Sequence, residues 1–440
     1  MRGQGTNRPM PVANASAPSA APAANPTYKA ALAVVTTLFF MWGFVTELND
    51  VLVPHLKAIF ELNYFWAMFI QLAFFSAYLL FSIPWSKAID WMGYQKTMVA
   101  GLCTAGVGAL LFIPAASVPS YPLFLAALMV LACGITALQV AANPYVAVLG
   151  PPKTASSRLN LAQAVNSLGH TTAPWIGGLL ILGAGPAAVL LPHLSREALQ
   201  AHRLHEASSV KLPYLLIALL LFVIALVIGK FKLPPVPEAE RHGASGQSAS
   251  LWKHRQLVLG VVAIFVYVGS EVAIGSLLIS YLVQPDIGNI SPKLAATLVG
   301  FCYWGGAMTG RFIGSAILQK VRTGIVLAIA ALAASTLVCV SMLTFGHVAM
   351  WSLILVGLFN SVMFPSIFTL GIAELGPLTG DGAGFLVMAI VGGAVIPPAT
   401  GWLADHIGIH HAFILPALCY LYVALYAVRG SKPALLSEST

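Results

Sequence analysis

The sequence predicts an all-α membrane protein of about twelve transmembrane helices, arranged as two six-helix bundles related by pseudo-symmetry. Hydrophobic residues fill 58% of the 440 positions and charged residues only 8%, against about 25% charged in soluble domains. So few charges cannot coat a soluble fold. Apolar runs long enough to cross a bilayer, roughly 20 residues, recur along the whole chain. A polar break near the middle divides them six and six.

The first 27 residues are rich in Pro, Ala, Asn and Ser and are expected to form a disordered cytoplasmic tail. The apolar run that follows is long enough to span and has no evident cleavage site, so it reads as a first helix rather than a secretory signal. Spans are expected near 28–53, 66–89, 97–115, 121–148, 159–184 and 212–231. A second set follows near 256–284, 295–318, 322–344, 348–374, 384–403 and 411–429. The division is a first bundle over 28–231, a cytoplasmic linker over 232–254, a second bundle over 255–430 and a cytoplasmic tail over 431–440. The linker holds Pro234, Pro235 and Pro237, then Glu238, Glu240, Arg241 and a Gly/Ser run. Another polar excursion, 191–211, falls on the opposite side.

Orientation follows from Lys and Arg placement. With the N-terminus inside, sixteen basic residues face the cytoplasm and five face outward, leaving Arg311 within a span. Both termini are therefore expected in the cytoplasm. The net charge of +8 reads as a topology signal rather than a nucleic-acid footprint. Five cysteines without paired spacing suggest neither a disulfide framework nor a metal site.

Charge within a bilayer costs about 2.5–3.5 kcal/mol per residue on insertion scales, so each such residue is a functional candidate. Glu47 and Asp50 stand three apart in the first span, on one helical face with Gly43, Thr46 and Pro54. The fourth span carries Gln139 and Asn143, then Pro144; the fifth carries Gln163, Asn166 and His170. Amides both donate and accept, which suits the hydroxyls of a polyol or sugar. Hydrogen bonding between helices is the competing use of such amides. In the second half Tyr267 and Glu271 lie four apart with Gly275 on the same face, and Arg311 is the basic residue deep enough to balance Glu271. An ion pair between them and a ligand role for Glu271 are both open. Trp42, Tyr145, Tyr303, Trp304 and Phe364 are candidates to stack on a sugar ring. Gly392-Gly393 and Pro397-Pro398 mark an irregular eleventh span, which fits a gate or a static kink.

The loop after the second span, Asp90-Trp91-Met92-Gly93-Tyr94-Gln95-Lys96, resembles the loop signature of the major facilitator superfamily. Phe40-Met41-Trp42-Gly43-Phe44 leading to Leu48-Asn49-Asp50 resembles the first helix of its fucose–galactose–glucose symporter family. Ala141-Ala142-Asn143-Pro144-Tyr145, Leu149-Gly150-Pro151 and Arg158-Leu159-Asn160-Leu161-Ala162-Gln163 through Asn166-Ser167 match that family as well. So do Tyr267-Val268-Gly269, Gly310-Arg311-Phe312, Phe364-Pro365-Ser366-Ile367-Phe368 and Val391-Gly392-Gly393. The resemblance covers nearly all the chain beyond the tail and implies the major facilitator fold. It also implies that Asp50 matches a key aspartate of the L-fucose–proton symporter, while Gln139 stands where that protein has a key glutamate. Gln139 with Glu271 looks more like the glucose/galactose branch. Gln163 and Asn166 match the family's polar pair on the fifth helix, and Glu47 fits neither pattern.

The expected function is a cation-coupled hexose symporter of the cytoplasmic (inner) membrane, monomeric, importing glucose- or galactose-type sugars by alternating access. Gln139, Asn143, Gln163, Asn166, Tyr267 and Glu271 would bind sugar, and Asp50 with Glu47 would couple the ion. The ion is H⁺ or Na⁺, the latter a hard cation suited to oxygen ligands near Asp50. Mannose, N-acetylglucosamine and fucose are alternative substrates. An efflux exporter of apolar compounds would share the fold, but with fewer amides in its first half. A membrane-embedded enzyme would need a nucleophile–base or metal constellation; neither HExxH nor GxSxG occurs among the spans, and no cofactor is expected.

Overall fold

The computed structural model describes residues 26–60, 64–118, 120–180, 208, 210–234 and 251–431, and within these the side chains of 26–27, 49–59, 64–69, 174–175 and 177–180 are outside the description. The expected tails, most of the linker, the excursion over 191–211 and the Asp50 side chain therefore fall largely or wholly outside the described residues.

Apolar composition over whole helical lengths makes these segments helices with no need of a polar face. Among the described residues they form α1 (Pro26–Ile59), α2 (64–92), α3 (94–117), α4 (Tyr121–Val148), α5 (Ala155–Leu180) and α6 (Lys211–Lys230). The second set is α7 (Arg255–Leu282), α8 (292–317), α9 (Thr323–Leu343), α10 (Gly346–Gly371), α11 (Gly376–Ile407) and α12 (Ile409–Gly430). Gly93 separates α2 from α3 with φ +80° and ψ 167°, a conformation that costs a residue with a Cβ and costs glycine little. Without that break one helix would run far beyond the bilayer. The protein is an all-α, multi-pass membrane fold.

The lipid-facing surface is apolar, as in α6, where Leu212, Leu216, Leu219 and Leu226 are exposed while Tyr214, Ile217, Leu221 and Ala225 are buried. Small residues bring helices close inside the first half. Gly108 and Gly134 each lie against backbone of the facing helix where α3 meets α4, the close approach that membrane helices use in place of a hydrophobic drive.

The two halves meet through α2 and α4 against α11, and through α5 against α8 and α10. α11 begins at Gly376, earlier than the apolar pattern indicates. Its first turns carry Gly380, Asp381, Gly382 and Gly384 in place of large apolar residues, and they pack on α2: a Cβ at Gly384 would lie 2.7 Å from the Ser86 side chain. Further along, Gly393 lies against the Phe75 ring of α2. The eleventh span is irregular as expected, with a tight turn over Ala389–Val391 before Pro397 and Pro398.

The end of the bundle that carries 231–234 is pinned shut by polar contacts between the halves. Lys87 of α2 reaches Asp381 of α11 at 2.8 Å and Asp90 at 3.8 Å. Ser86 donates to Asp381 at 3.3 Å. Beside them the Ser156 hydroxyl meets Thr369 at 2.6 Å and Thr323 at 2.8 Å, and Ser157 donates to the Ser315 carbonyl at 2.7 Å. The loop signature around Asp90 therefore serves the contact between halves, while Gln95 fastens α3 to the end of α6 through the Ile228 and Phe231 carbonyls.

Candidate functional site

Deeper than these contacts, polar residues from α1, α4, α5, α7, α8 and α10 gather around the boundary between the halves. In the first half α1 and α5 are closely joined. Asn166 donates through Nδ2 to the Phe39 carbonyl at 2.8 Å. Gly43 lies directly against the Asn166 backbone and Gly169 against the Phe40 carbonyl. Only glycine permits that approach without displacing backbone.

One turn beyond this seam, Glu47 Oε2 lies 3.1 Å from His170 Nδ1, with side chains 31% and 34% exposed. The two residues that the sequence left without partners are thus partners of each other. Asp50 lies three residues on in α1, its side chain outside the described residues.

The amide stripes of α4 and α5 are buried and partly engaged with the protein itself. Gln139 Nε2 donates to the Tyr78 hydroxyl at 2.8 Å. Gln163 Nε2 reaches Asn143 Oδ1 at 3.4 Å, a long contact. Asn143 is fully buried, and its Nδ2 has no hydrogen-bond partner. An orphaned donor of this kind costs about 1–3 kcal/mol unless something accepts from it.

In the second half a tyrosine–asparagine network surrounds Glu271. Tyr267 donates to the Asn360 carbonyl at 3.0 Å, and Asn360 Nδ2 donates to the Tyr303 hydroxyl at 3.1 Å. Tyr303 in turn reaches the Glu271 carbonyl at 3.5 Å. Glu271 Oε1, Asn360 Oδ1, Tyr420 Oη and Arg311 Nε are buried without partners. Gly275 makes room for Trp304, whose ring a Cβ there would approach to 3.1 Å.

Arg311 does not close on Glu271. Its Nη1 donates to the Ser167 hydroxyl and to the Gln163 carbonyl, the latter at 3.5 Å, so the guanidinium joins α8 to α5 across the boundary. Among the described residues the ion pairs are Lys87–Asp90, Lys87–Asp381 and Glu47–His170. Glu271 stays within electrostatic reach of Arg311 and of His170.

The candidate aromatics divide. Trp42 is buried against Phe39 at 4.1 Å between ring centroids, and Tyr145 hydrogen-bonds the Pro234 carbonyl near the closed end. Tyr303 belongs to the Asn360 network, and Phe364 stacks on Phe368 at 5.9 Å. An apolar recess of about 540 Å³ on the flank of α1, α5 and α6, lined by Val34, Phe40, Val165 and Ile224 among others, includes none of the charged or amide side chains above. Asn360 and Tyr420 were missed by the sequence reading. Asn360 is the one amide in its span, and that signal would have marked it as a candidate.

Comparison with known proteins agrees with this architecture. Residues 33–390 match the Major Facilitator Superfamily. A glucose/galactose transporter of Brucella abortus is 49% identical over 405 residues, spanning 92% of this chain and 95% of that protein. An L-fucose-proton symporter of Escherichia coli is 36% identical over 418 residues, spanning 93% and 94%. The crystal structure of FucP, the E. coli fucose:proton symporter, in the outward conformation aligns with a TM-score of 0.84 at 34% identity, covering 91% of this chain and 98% of that one. These relatives are named transporters and symporters, not enzymes. With membrane-length helices in two interlocked sets among the described residues and a polar centre between them, the chain belongs to the Major Facilitator Superfamily, in the group that holds the glucose/galactose transporters and the L-fucose–proton symporters.

Proposed function

We propose that the protein is a proton-coupled symporter that imports a hexose of the glucose/galactose type by alternating access. The observation that carries this reading is the set of buried, unpartnered polar atoms on both sides of the boundary, Asn143 Nδ2 in one half and Glu271 Oε1 and Asn360 Oδ1 in the other. A ligand dense in hydroxyls satisfies such donors and acceptors together. The 49% identity to a glucose/galactose transporter supports the choice of sugar. The name of the E. coli relative, an L-fucose-proton symporter, supports H⁺ as the coupling ion.

In this reading Gln139, Asn143, Gln163, Asn166, Tyr267 and Glu271 hold the sugar, and Asp50 with Glu47 handles the proton. Residues 28–231 and 255–430 are the two bodies that rock, joined by a cytoplasmic linker over 232–254. The protein works as a monomer in the inner membrane with both termini in the cytoplasm. The pinned end then faces the cytoplasm and the arrangement is outward-facing, as in the FucP structure.

Counterflow in proteoliposomes tests the substrate. Labelled glucose or galactose should exchange, and mannose, N-acetylglucosamine and fucose serve as competitors. Binding of apolar compounds with no hexose exchange would overturn the reading. Uptake driven by a pH gradient, compared with an imposed Na⁺ gradient, tests the ion.

A further inference from the structure

α6 is held to α3 at three levels along its length. Tyr214 stacks on Phe112 at 4.0 Å between ring centroids, Gly106 makes room for the Phe222 ring, and Gln95 binds the Ile228 and Phe231 carbonyls. α1 is joined as closely to α5, through Gly43, Asn166 and Gly169. With each helix committed to another partner, α6 meets α1 only sparingly. The recess of about 540 Å³ on this flank is what that arrangement leaves, lined by Val34, Phe40, Val165, Ile224 and Val227 among others.

Its walls offer a ligand carbon and little else. Thr36 and Thr37 are the polar side chains of the lining, and each donates its hydroxyl proton inside α1, to the Leu32 and Val34 carbonyls. A sugar would lose hydrogen bonds on entering such a space, and a hydrocarbon chain would lose none. The recess lies level with exposed apolar side chains of α6, Val223 and Leu226, on the lipid-facing surface.

One end of the recess is basic. Lys29 stands four residues before Ala33 on the same face of α1, and Lys230 stands three residues after Val227 on α6. Each lies about one helical turn, roughly 5 Å, beyond the apolar lining. Both are exposed, as is Lys232 just past the end of α6. Residues 26–46, 155–180 and 211–234 contain no Asp or Glu to offset them. An apolar slot capped by cations at the membrane surface matches an amphiphile with an anionic head. We propose that this recess binds an anionic phospholipid of the surrounding bilayer, with one acyl chain between α1, α5 and α6 and the phosphate held by Lys29 and Lys230. Lysines at the ends of spans also set topology, but that role alone gives no preference for one headgroup at the recess.

The test uses the full-length protein in phosphatidylcholine vesicles. These contain a small, equal fraction of either phosphatidylglycerol or phosphatidylcholine bearing a photoactivatable group on the acyl chain. Mass spectrometry locates the labelled peptides. Residues 33–41 and 224–228 should be labelled about fivefold more by the phosphatidylglycerol probe, equivalent to about 1 kcal/mol. The exposed face of α10 at Trp351 and Leu355 is the control and should show no such preference. Lys29→Gln combined with Lys230→Gln should bring the two probes to parity at the recess, with α10 labelling unchanged. Val227→Trp fills the slot and keeps both lysines, and should reduce labelling of 33–41 by either probe. Equal labelling of the wild-type recess by the two probes overturns the inference, and so does a preference that survives loss of both lysines. Labelling of α10 without labelling of the recess overturns it as well, because another occupant then fills the slot.

Discussion

Arg311 donates to the Ser167 hydroxyl across the boundary between the halves, and in doing so leaves Glu271 without a direct cationic partner among the described residues. The guanidinium and the carboxylate still feel each other through a low-dielectric interior. Arg311→Gln should therefore destabilise the protein, because Glu271 becomes a lone buried acid. Glu271→Gln in the same background should recover part of the loss, with a coupling energy on the order of 1 kcal/mol. Thermal unfolding of the two single variants and the double variant in one detergent measures this. Strict additivity would show that the two groups do not interact.

The pinned end gives a second expectation. Lys87 bridges Asp381 at 2.8 Å, with the lysine side chain 49% exposed and the aspartate 10%. Solvent screening limits such a half-exposed pair to about 1 kcal/mol or less. Asp381→Asn should therefore leave the melting temperature nearly unchanged while opening this end more often. Cysteines introduced at Ser157 and Ser315, on a background with native cysteines replaced, should crosslink more slowly in that variant.

The fold was legible because it rests on composition: a run of apolar residues announces a membrane helix wherever it occurs. The start of α11 was hidden, since Gly380, Asp381 and Gly384 look like a loop until α2 is seen to pack on them. Glu47 and Asp50 could be found as charges in a span, yet the partner of Glu47 lies 123 residues away on α5. Helical periodicity relates residues three and four apart and says nothing about which helix faces which. For the same reason Arg311 was matched to Glu271 as an available acid, when geometry directs it to a serine hydroxyl. The amides were found one by one, but whether each serves a neighbouring helix or a ligand depends on distances that a sequence does not contain.

Three glycines separate space from conformation. Gly43→Ala places a methyl group into the Asn166 backbone and should cost about 1–3 kcal/mol through overpacking. Gly93→Ala meets no atom within 4 Å, but its φ of +80° with ψ of 167° is a region almost reserved for glycine, and about 1–3 kcal/mol should be lost. Gly401→Ala, in open space within the helical α11, should be neutral or stabilising by up to about 1 kcal/mol. Thermal shift in detergent ranks the three, and a Gly43 variant as stable as wild type would contradict the seam between α1 and α5.

Coupling is expected to depend on Asp50 more than on Glu271. Asp50→Asn should abolish concentrative uptake and leave sugar exchange measurable, because exchange requires no net proton movement. Glu271→Gln should impair accumulation less. Accumulation ratios under an imposed pH gradient, set beside counterflow rates, distinguish the two. If Asp50→Asn still accumulates sugar against a gradient, the coupling carboxylate is Glu271.

The amides should divide by the strength of the bonds they already make. Asn166 donates to the Phe39 carbonyl at 2.8 Å and Gln139 to the Tyr78 hydroxyl at 2.8 Å, both within the buried first half. Removing either leaves a partner unsatisfied in a dry interior, a loss of about 1–3 kcal/mol in stability. Gln163 reaches Asn143 only at 3.4 Å, a distance at which a hydrogen bond is weak, and a sugar hydroxyl can take its place at little cost. Asn166→Ala and Gln139→Leu should therefore lower the melting temperature clearly, with or without sugar. Gln163→Ala should leave the sugar-free melting temperature close to wild type yet weaken hexose binding by roughly 1–3 kcal/mol, between about fivefold and 150-fold in Kd. Melting curves with and without hexose, together with Kd from calorimetry, separate the two effects. A Gln163→Ala protein that loses stability but keeps its affinity would place Gln163 among the structural amides and move the sugar contacts to Asn143 and the Asn360 network.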